Sequence, residues 1–438
     1  MKIHLVSLGC AKNLVDSERM LGRLMQAGWP YTPEPGEAET IIVNTCSFIE
    51  SAINESIDTI LEMARFKQTG TCRRLIVAGC LPERFREDII ESLPEVDFFL
   101  GTGAFHEIVK AVKGPLTPSG CLLPHPDSIS VEDTEPHRLL SSAQTAYLKI
   151  AEGCSRHCTY CIIPKLRGKQ KSRSLENIVS EARSLISRDI KELILVAQDT
   201  TAYGNDLDPP VSLVKVLESI AGISGDVWIR LLYAHPQSMD ASIVRTVATY
   251  RNICSYFDIP IQHASSRLLK RMGRNYTSGD LYRLYDQIRS LIPAAALRTT
   301  VMVGFPGETD KDFEALLAFV EDVRFDHLGV FVYSDSQDLP SHPLSGHIPE
   351  YVAKERYERL MSRQLQISLE NNQKHFQRVY SVLVETKAKE HLFTGRTCFQ
   401  APEVDGITYI HSESLLTGSF ARVKITDFLE YDLIGETV

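Results

Sequence analysis

The stretch AEGCSRHCTYCII, residues 151–163, places Cys154, Cys158 and Cys161 in one short loop. Thiolates are soft ligands, so three of them at this spacing suit zinc or an iron–sulfur cluster. A structural zinc site takes four protein ligands, usually as two pairs, and no second pair follows here. His157 lies inside the loop, but it adjoins Cys158 and is poorly placed as a fourth ligand. Three thiolates in one tight loop instead suit three irons of a four-iron cubane cluster, and the fourth iron stays open for chemistry. The bland alternative is a set of small buried thiols, which leaves their crowding unexplained.

Three more cysteines share a different placement. IHLVSLGC (3–10), TIIVNTC (40–46) and RLIVAGC (74–80) are apolar runs ending in Cys10, Cys46 and Cys80. Between them lie DSERMLGRLMQAG (16–28) and ESAINESIDTILEMARF (50–66), the second with helical apolar spacing. Alternating strand and helix predicts a parallel α/β sheet with right-handed crossovers. The carboxyl ends of such strands lie along one edge, where ligands bind, so the three cysteines should converge. Pattern alone leaves two readings open, strand-end buried thiols or a second cluster. Cys72, Cys121, Cys254 and Cys398 do not share this placement and read as structural, with Cys121 expected in a Pro-rich connection.

The elements that must position the loop come next. Strand-like runs at 146–150, 193–197, 227–232, 256–260, 297–304 and 328–333 alternate with helices, giving six β/α units and an incomplete barrel. A site is expected at the carboxyl ends of its strands. Polar residues stand there: Gln198 and Asp199, Tyr233 and His235, Gln262 and His263, and the segment VGFPGET (303–309). Solvated loops are the alternative reading for each, with equal force for His235 and His263. Thr309 and Asp312 resemble a capping box. The basic run KLRGKQKSR (165–173) reads as a solvated face unless its position beside the cysteine loop singles out Arg167 and Arg173. After residue 373 the apolar period changes to two, which predicts a small antiparallel β-barrel.

Composition narrows the class. With 438 residues and 43% hydrophobic content the chain can hold two or three domains. No apolar run approaches a membrane span, and MKIHLVSLGC lacks the pattern of a secretory leader. A cytoplasmic protein without membrane attachment is expected, and its ten cysteines point to metal or redox chemistry rather than disulfides. The net charge of −9 disfavours a nucleic-acid coat, so no stable DNA binding is expected.

With Tyr160 directly before its last cysteine, the loop resembles the signature of radical S-adenosylmethionine enzymes. The resemblance implies a cluster whose open iron chelates the amino and carboxylate groups of S-adenosylmethionine, cleaved by one electron to a radical that abstracts hydrogen. It implies cofactor contacts from Tyr160, from Gln198 near the amino group, and from Gly304 and Glu308 near the adenine. Arg167 is expected to pair with the cofactor carboxylate, a charge-assisted contact.

SLGCAKNLVDSE (7–18), NTCSFIESAINES (44–56) and AGCLPER (78–84) resemble the N-terminal domain of methylthiotransferases. That implies two four-iron clusters, one on Cys154, Cys158 and Cys161 and an auxiliary one on Cys10, Cys46 and Cys80. It implies three domains: a methylthiotransferase domain (1–135), a radical S-adenosylmethionine barrel (140–372) and a TRAM-like barrel (373–438). The reaction implied replaces C–H by C–S–CH3, with a sulfur donor and an electron donor whose identities are not written in the sequence.

One branch of this family, MiaB-like, modifies tRNA adenosines. The other, RimO-type, modifies the β-carbon of an aspartate in a small-subunit ribosomal protein of the decoding centre. Lys12-Asn13 after the first cysteine and TCFQAPEVDG (397–406) resemble the RimO type. The terminal module carries seven Lys/Arg against nine Asp/Glu from residue 373 onward, the wrong balance for an RNA clamp but suited to a basic ribosomal protein or the small subunit. A non-catalytic iron–sulfur protein is the remaining reading, and it leaves the barrel and the adenine motif unexplained. The loop YSDSQDLPSHPL (333–344) departs from the family's more acidic, Gly-containing form.

Overall fold

The computed structural model describes residues 1–114, 120–129, 131, 138–223 and 225–438, and the domain boundary expected at residue 135 lies outside them. Among the described residues, the first third forms β1 (Ile3–Ser7), β2 (Thr40–Thr45), β3 (Arg74–Gly79), β4 (Phe98–Gly101) and β5 (Gly120–Leu122). All pair in parallel, in the order β1-β2-β3-β4-β5. β2 and β3 are buried along their whole length, because alternate side chains meet helices on opposite faces. Ile41, Val43, Leu75 and Val77 pack with Ile60 and Met63 of the helix Glu50–Ala64. Ile42, Ile76 and Ala78 pack with Met20 and Leu24 of the helix Ala11–Gln26. Cys121, expected in a connection, lies on β5 instead; a three-residue strand is too short to show a period.

The central unit contains β6 (Thr145–Lys149), β7 (Ala151–Glu152), β8 (Lys171–Ser172), β9 (Glu192–Val196), β10 (Trp228–Leu231), β11 (Tyr256–Asp258), β12 (Ala296–Val303) and β13 (His327–Val332). β7 and β8 form a small antiparallel ribbon. The six longer strands are parallel, in two ladders, β6-β9-β10 and β11-β12-β13, joined by the bridge between Ile229 and Ile253. Leu148, Leu195 and Ile229 point outward under helices such as Leu175–Ser187, while Tyr147, Ile194, Val196 and Tyr256 line the inside. A six-stranded sheet leaves two open edges, which need covering. The helix Glu350–Gln373 covers β13, where Gln364 Nε2 donates to Phe325 O at 2.8 Å. The helix Ala11–Gln26 lies against β6, and Arg138 Nε donates to its Glu18 at 2.6 Å.

The last unit is a closed barrel of β14 (Val379–Lys389), β15 (Leu392–Thr397), β16 (Thr408–His411), β17 (Phe420–Phe428) and β18 (Leu433–Thr437). Four of its pairings are antiparallel, as expected, and β16 with β18 is parallel. An odd number of strands cannot alternate all the way round a ring. This barrel docks on the amino ends of the larger barrel's strands. Glu192, at the start of β9, accepts from Arg230 Nε at 2.7 Å and from Arg396 Nη2 at 2.6 Å, all three buried. The segment TCFQAPEVDG is the plug: Tyr256 Oη donates to Asp405 at 2.6 Å and His327 Nε2 contacts Phe399 O at 2.8 Å. No described helix is long and apolar enough to cross a membrane.

Candidate functional site: two cysteine triads at a domain junction

Cys10 is the N-cap residue of the helix Ala11–Gln26, Cys46 follows β2 directly, and Cys80 opens the helix Cys80–Phe85 after β3. Because β1, β2 and β3 are neighbours in the sheet, the three thiols share one edge. Two glycines permit the approach. Gly9 has φ +86°, and a Cβ there would lie 2.6 Å from Cys46 Cβ. Gly79 has φ +99°, and its Cβ would meet Asn44 Oδ1 at 2.4 Å. Asn13 ties the loops together, its Nδ2 donating to Leu8 O at 2.9 Å and to Thr45 O at 2.8 Å. Ser47 Oγ donates to Cys80 O at 2.9 Å.

The second triad sits at the carboxyl end of β6, held by backbone bonds. Cys154 N donates to Gly168 O at 3.0 Å, Thr159 N to Met272 O at 3.0 Å, and Cys161 N to Cys158 O at 3.2 Å. Arg156 anchors the loop to Asp199 after β9 at 2.8 Å.

One guanidinium joins the two edges. Arg167, buried, donates from Nη1 to Asp16 at 2.7 Å and to Glu152 at 3.3 Å, and from Nη2 to Asn13 Oδ1 and to Cys80 Sγ, the last at 3.5 Å. Lys149 adds contacts to Asp16 and, at 2.7 Å, to Glu152. Burial works against the Glu152 charge, but Lys149 and Arg167 outweigh it and hold its carboxyl well below the usual carboxylate range. Arg173 is spent elsewhere: it donates to Lys149 O at 2.6 Å and pairs with Glu181 at 2.6 Å.

Burial pushes the Cys80 and Cys161 thiols up to about 12, and raises Cys46 and Cys154. Cys10 moves the other way: burial would raise it, but Lys12 and Arg167 bring it down. Among the described residues no three His, Cys, Asp or Glu side chains close to the geometry of a single ion. Thiolates on one zinc sit within about 4 Å of each other, whereas each thiolate of a cubane holds a different iron and stands further apart. Each donor set is three thiols with no carboxylate or imidazole among them, the soft ligand type that iron–sulfur clusters take.

The remaining candidate residues divide. Tyr160 packs with Leu268, Met272 and Phe305, and its Oη accepts from Arg274 at 3.1 Å (Nε) and 2.5 Å (Nη2). The cysteine loop and the VGFPGE segment thus share one apolar wall. Gln198 Nε2 donates to Glu152 at 2.6 Å, leaving its Oε1 a buried acceptor without a partner among the described residues. Gly304 has φ +79°, and its N–H donates to Glu308, whose buried carboxylate also pairs with Arg356 at 3.1 Å and faces His263 Nε2 at 3.4 Å. Glu308 therefore shapes the Gly304 turn from behind. His235 is held neutral by burial, with Arg274 and Arg156 adding to it, down to about 2.

The loop at 333–344 turns out to be a latch. Arg84 of AGCLPER donates to Asp338 at 2.7 Å and to Ser336 at 2.8 Å, and also reaches Ser47 O. Sequence reasoning missed Asp16, Lys149, Glu152 and Arg274. A signal existed for Lys149, a charge inside the apolar strand AYLKI, since a buried charge needs a partner. Arg274 carried no local signal.

Family models match the three units: residues 2–101 match "Uncharacterized protein family UPF0004", 148–320 the Radical SAM superfamily, and 378–438 the TRAM domain. The fold is similar to that of TsrM, a radical S-adenosylmethionine methyltransferase from Kitasatospora setae, with TM-score 0.58 and 13% identity over 84% of this chain and 89% of that one. Fold and site together define a radical S-adenosylmethionine enzyme, a class that uses S-adenosylmethionine and a four-iron cluster. Among curated proteins, the "Ribosomal protein uS12 methylthiotransferase RimO" of Desulfosudis oleivorans is 53% identical over the full length of both chains. Proteins of that name from Clostridioides difficile and Geobacter sulfurreducens are each 46% identical, covering all of this chain and 99% and 98% of theirs. This chain belongs to the RimO family of radical S-adenosylmethionine methylthiotransferases.

Proposed function

We propose that this chain methylthiolates the β-carbon of an aspartate in small-subunit ribosomal protein uS12, with Cys154, Cys158 and Cys161 holding one four-iron cluster and Cys10, Cys46 and Cys80 a second. The observation that carries the reading is Arg167, which contacts Cys80 of one triad and Glu152 on the strand β7 that leads into the loop of the other. When bound, the clusters and S-adenosylmethionine supply the hydrogen-abstracting radical, the sulfur and the methyl group. The chain's residues bind, orient and enclose. Gln198 Oε1 offers the acceptor for the cofactor's amino group. Tyr160 and the Gly304 turn, braced by Glu308, form the apolar wall for the adenine. Arg167 and Lys12 place positive charge beside the auxiliary thiols. An acidic protein of this kind attracts a basic ribosomal partner; an external reductant and a sulfur source complete the reaction, in the cytoplasm.

The test is twofold. Anaerobically reconstituted protein should hold about eight irons, falling to about four in both Cys10→Ala and Cys154→Ala. Mass spectrometry of uS12 from cells with and without the gene should show a methylthio group on one aspartate only with it. An unmodified uS12 in both strains, with a modification missing from tRNA instead, would overturn the substrate.

A further inference from the structure

Among the described residues two lysines are buried, and they are treated differently. Lys149 is clamped between Asp16 and Glu152. Lys12, only 8% exposed, has no carboxylate partner among the described residues. Its ammonium stands 3.3 Å from the centroid of the Tyr233 ring, with the Cys10 thiol and the Arg167 guanidinium also close enough to act on its charge. Tyr233 lies just past the carboxyl end of β10, in left-handed backbone with φ 60°, its N–H donating to Asp258 at 2.9 Å. Lys12 therefore reaches from the auxiliary cysteines into the mouth of the barrel, where a substrate must enter.

A buried ammonium without an anion is costly. An aromatic face offsets part of that cost, and a metal-bound Cys10 thiolate would offset more, shared with Arg167. The auxiliary thiols are negative when metal-bound, so a substrate carboxylate brought beside them meets repulsion unless a cation stands between.

We infer that Lys12 is the counter-ion of the substrate carboxylate: it pairs with the acidic side chain of the residue to be modified and sets the preference for that side chain over its amide. The inference rests on the proposed reading of the substrate as an aspartate. Lys12 is a specificity-determining residue, selecting a carboxylate where a carboxamide of the same shape gains no ion pair.

The experiment measures binding, not turnover. Reconstituted full-length protein, as wild type, Lys12→Gln and Lys12→Arg, is titrated with recombinant uS12 and with uS12 whose methylthiolated aspartate is replaced by asparagine. Wild type should prefer the aspartate form by about tenfold or more. Lys12→Gln should bind both forms alike, and Lys12→Arg should recover part of the preference. An iron content of about eight per chain in all three proteins shows that each is folded and loaded, while the visible absorbance of Lys12→Gln reads the charge lost beside Cys10. An unchanged aspartate-to-asparagine ratio in Lys12→Gln overturns the inference. The same ratio with a shifted auxiliary-cluster spectrum overturns it too, and makes Lys12 a cluster counter-ion. If wild type modifies uS12 yet binds both forms equally, the inference fails and the substrate reading stands. If wild type neither prefers nor modifies uS12, both fall together.

Discussion

Arg167 Nη2 lies 3.5 Å from Cys80 Sγ while its Nη1 holds Asp16 at 2.7 Å, so one side chain of the barrel reaches the sulfur edge of the N-terminal sheet. The contact joins residues 87 positions apart and ties the Cys80 edge to the barrel segment that follows the second triad. With Cys80 holding the proposed auxiliary cluster, this hydrogen bond would also be a lever on its potential.

Arg167→Met should uncouple the two edges. It leaves Asp16 and Glu152 short of a buried cation, a loss of about 3–5 kcal/mol by analogy with other broken buried pairs. Thermal unfolding should show a markedly lower midpoint, and iron content should fall towards that of a Cys80 variant. A variant as stable and as iron-rich as wild type would sink this account.

Gln198→Leu removes the unpartnered acceptor without touching a cysteine. A hydrogen bond to a charged group contributes about 1.5–3 kcal/mol, so the dissociation constant for S-adenosylmethionine should rise roughly tenfold to a hundredfold. Equilibrium dialysis on the reconstituted protein reads it directly, and visible absorbance should stay unchanged.

The latch of Arg84 on Ser336 and Asp338 makes a separate prediction. Asp338→Asn should weaken it by about 1–3 kcal/mol. Limited proteolysis should then cut within 333–344 faster than in wild type, while the terminal barrel keeps its resistance. Equal cleavage rates would show that the loop holds itself.

His375 offers a pH test of the terminal barrel. It stacks on Phe399 with centroids 4.4 Å apart and contacts Tyr380 Oη at 2.7 Å. Burial, then Arg378 and Lys374, lower its pKa from 6.5 to about 4. The unfolded chain therefore binds the proton more readily between those values. The contribution to stability is complete above about pH 6.5 and is lost as pH falls towards 4. Denaturation midpoints should decline over that window, and His375→Phe should flatten the decline.

Much of the site was legible in the sequence because its key spacings are local or periodic. The barrel cysteines lie in one loop, so their proximity needs no tertiary information. Cys10, Cys46 and Cys80 are far apart in the chain, but three apolar runs with helical intervals imply neighbouring parallel strands, and parallel strands share an edge. β4 and β5, of four and three residues, were too short to show such a period.

What the sequence by itself determined is the longer strands of the sheet and barrel and the cysteines at their ends, since strand period, crossover handedness and thiolate softness are properties of local residues. Only the tertiary structure decided which charges meet. Arg167 finds Asp16 across 151 positions and Arg84 finds Asp338 across 254, with no pattern in the chain to announce either. The same holds for Lys12 above Tyr233. Coulomb pairing depends on distance in space, and that distance exists only once the N-terminal sheet has packed against the barrel.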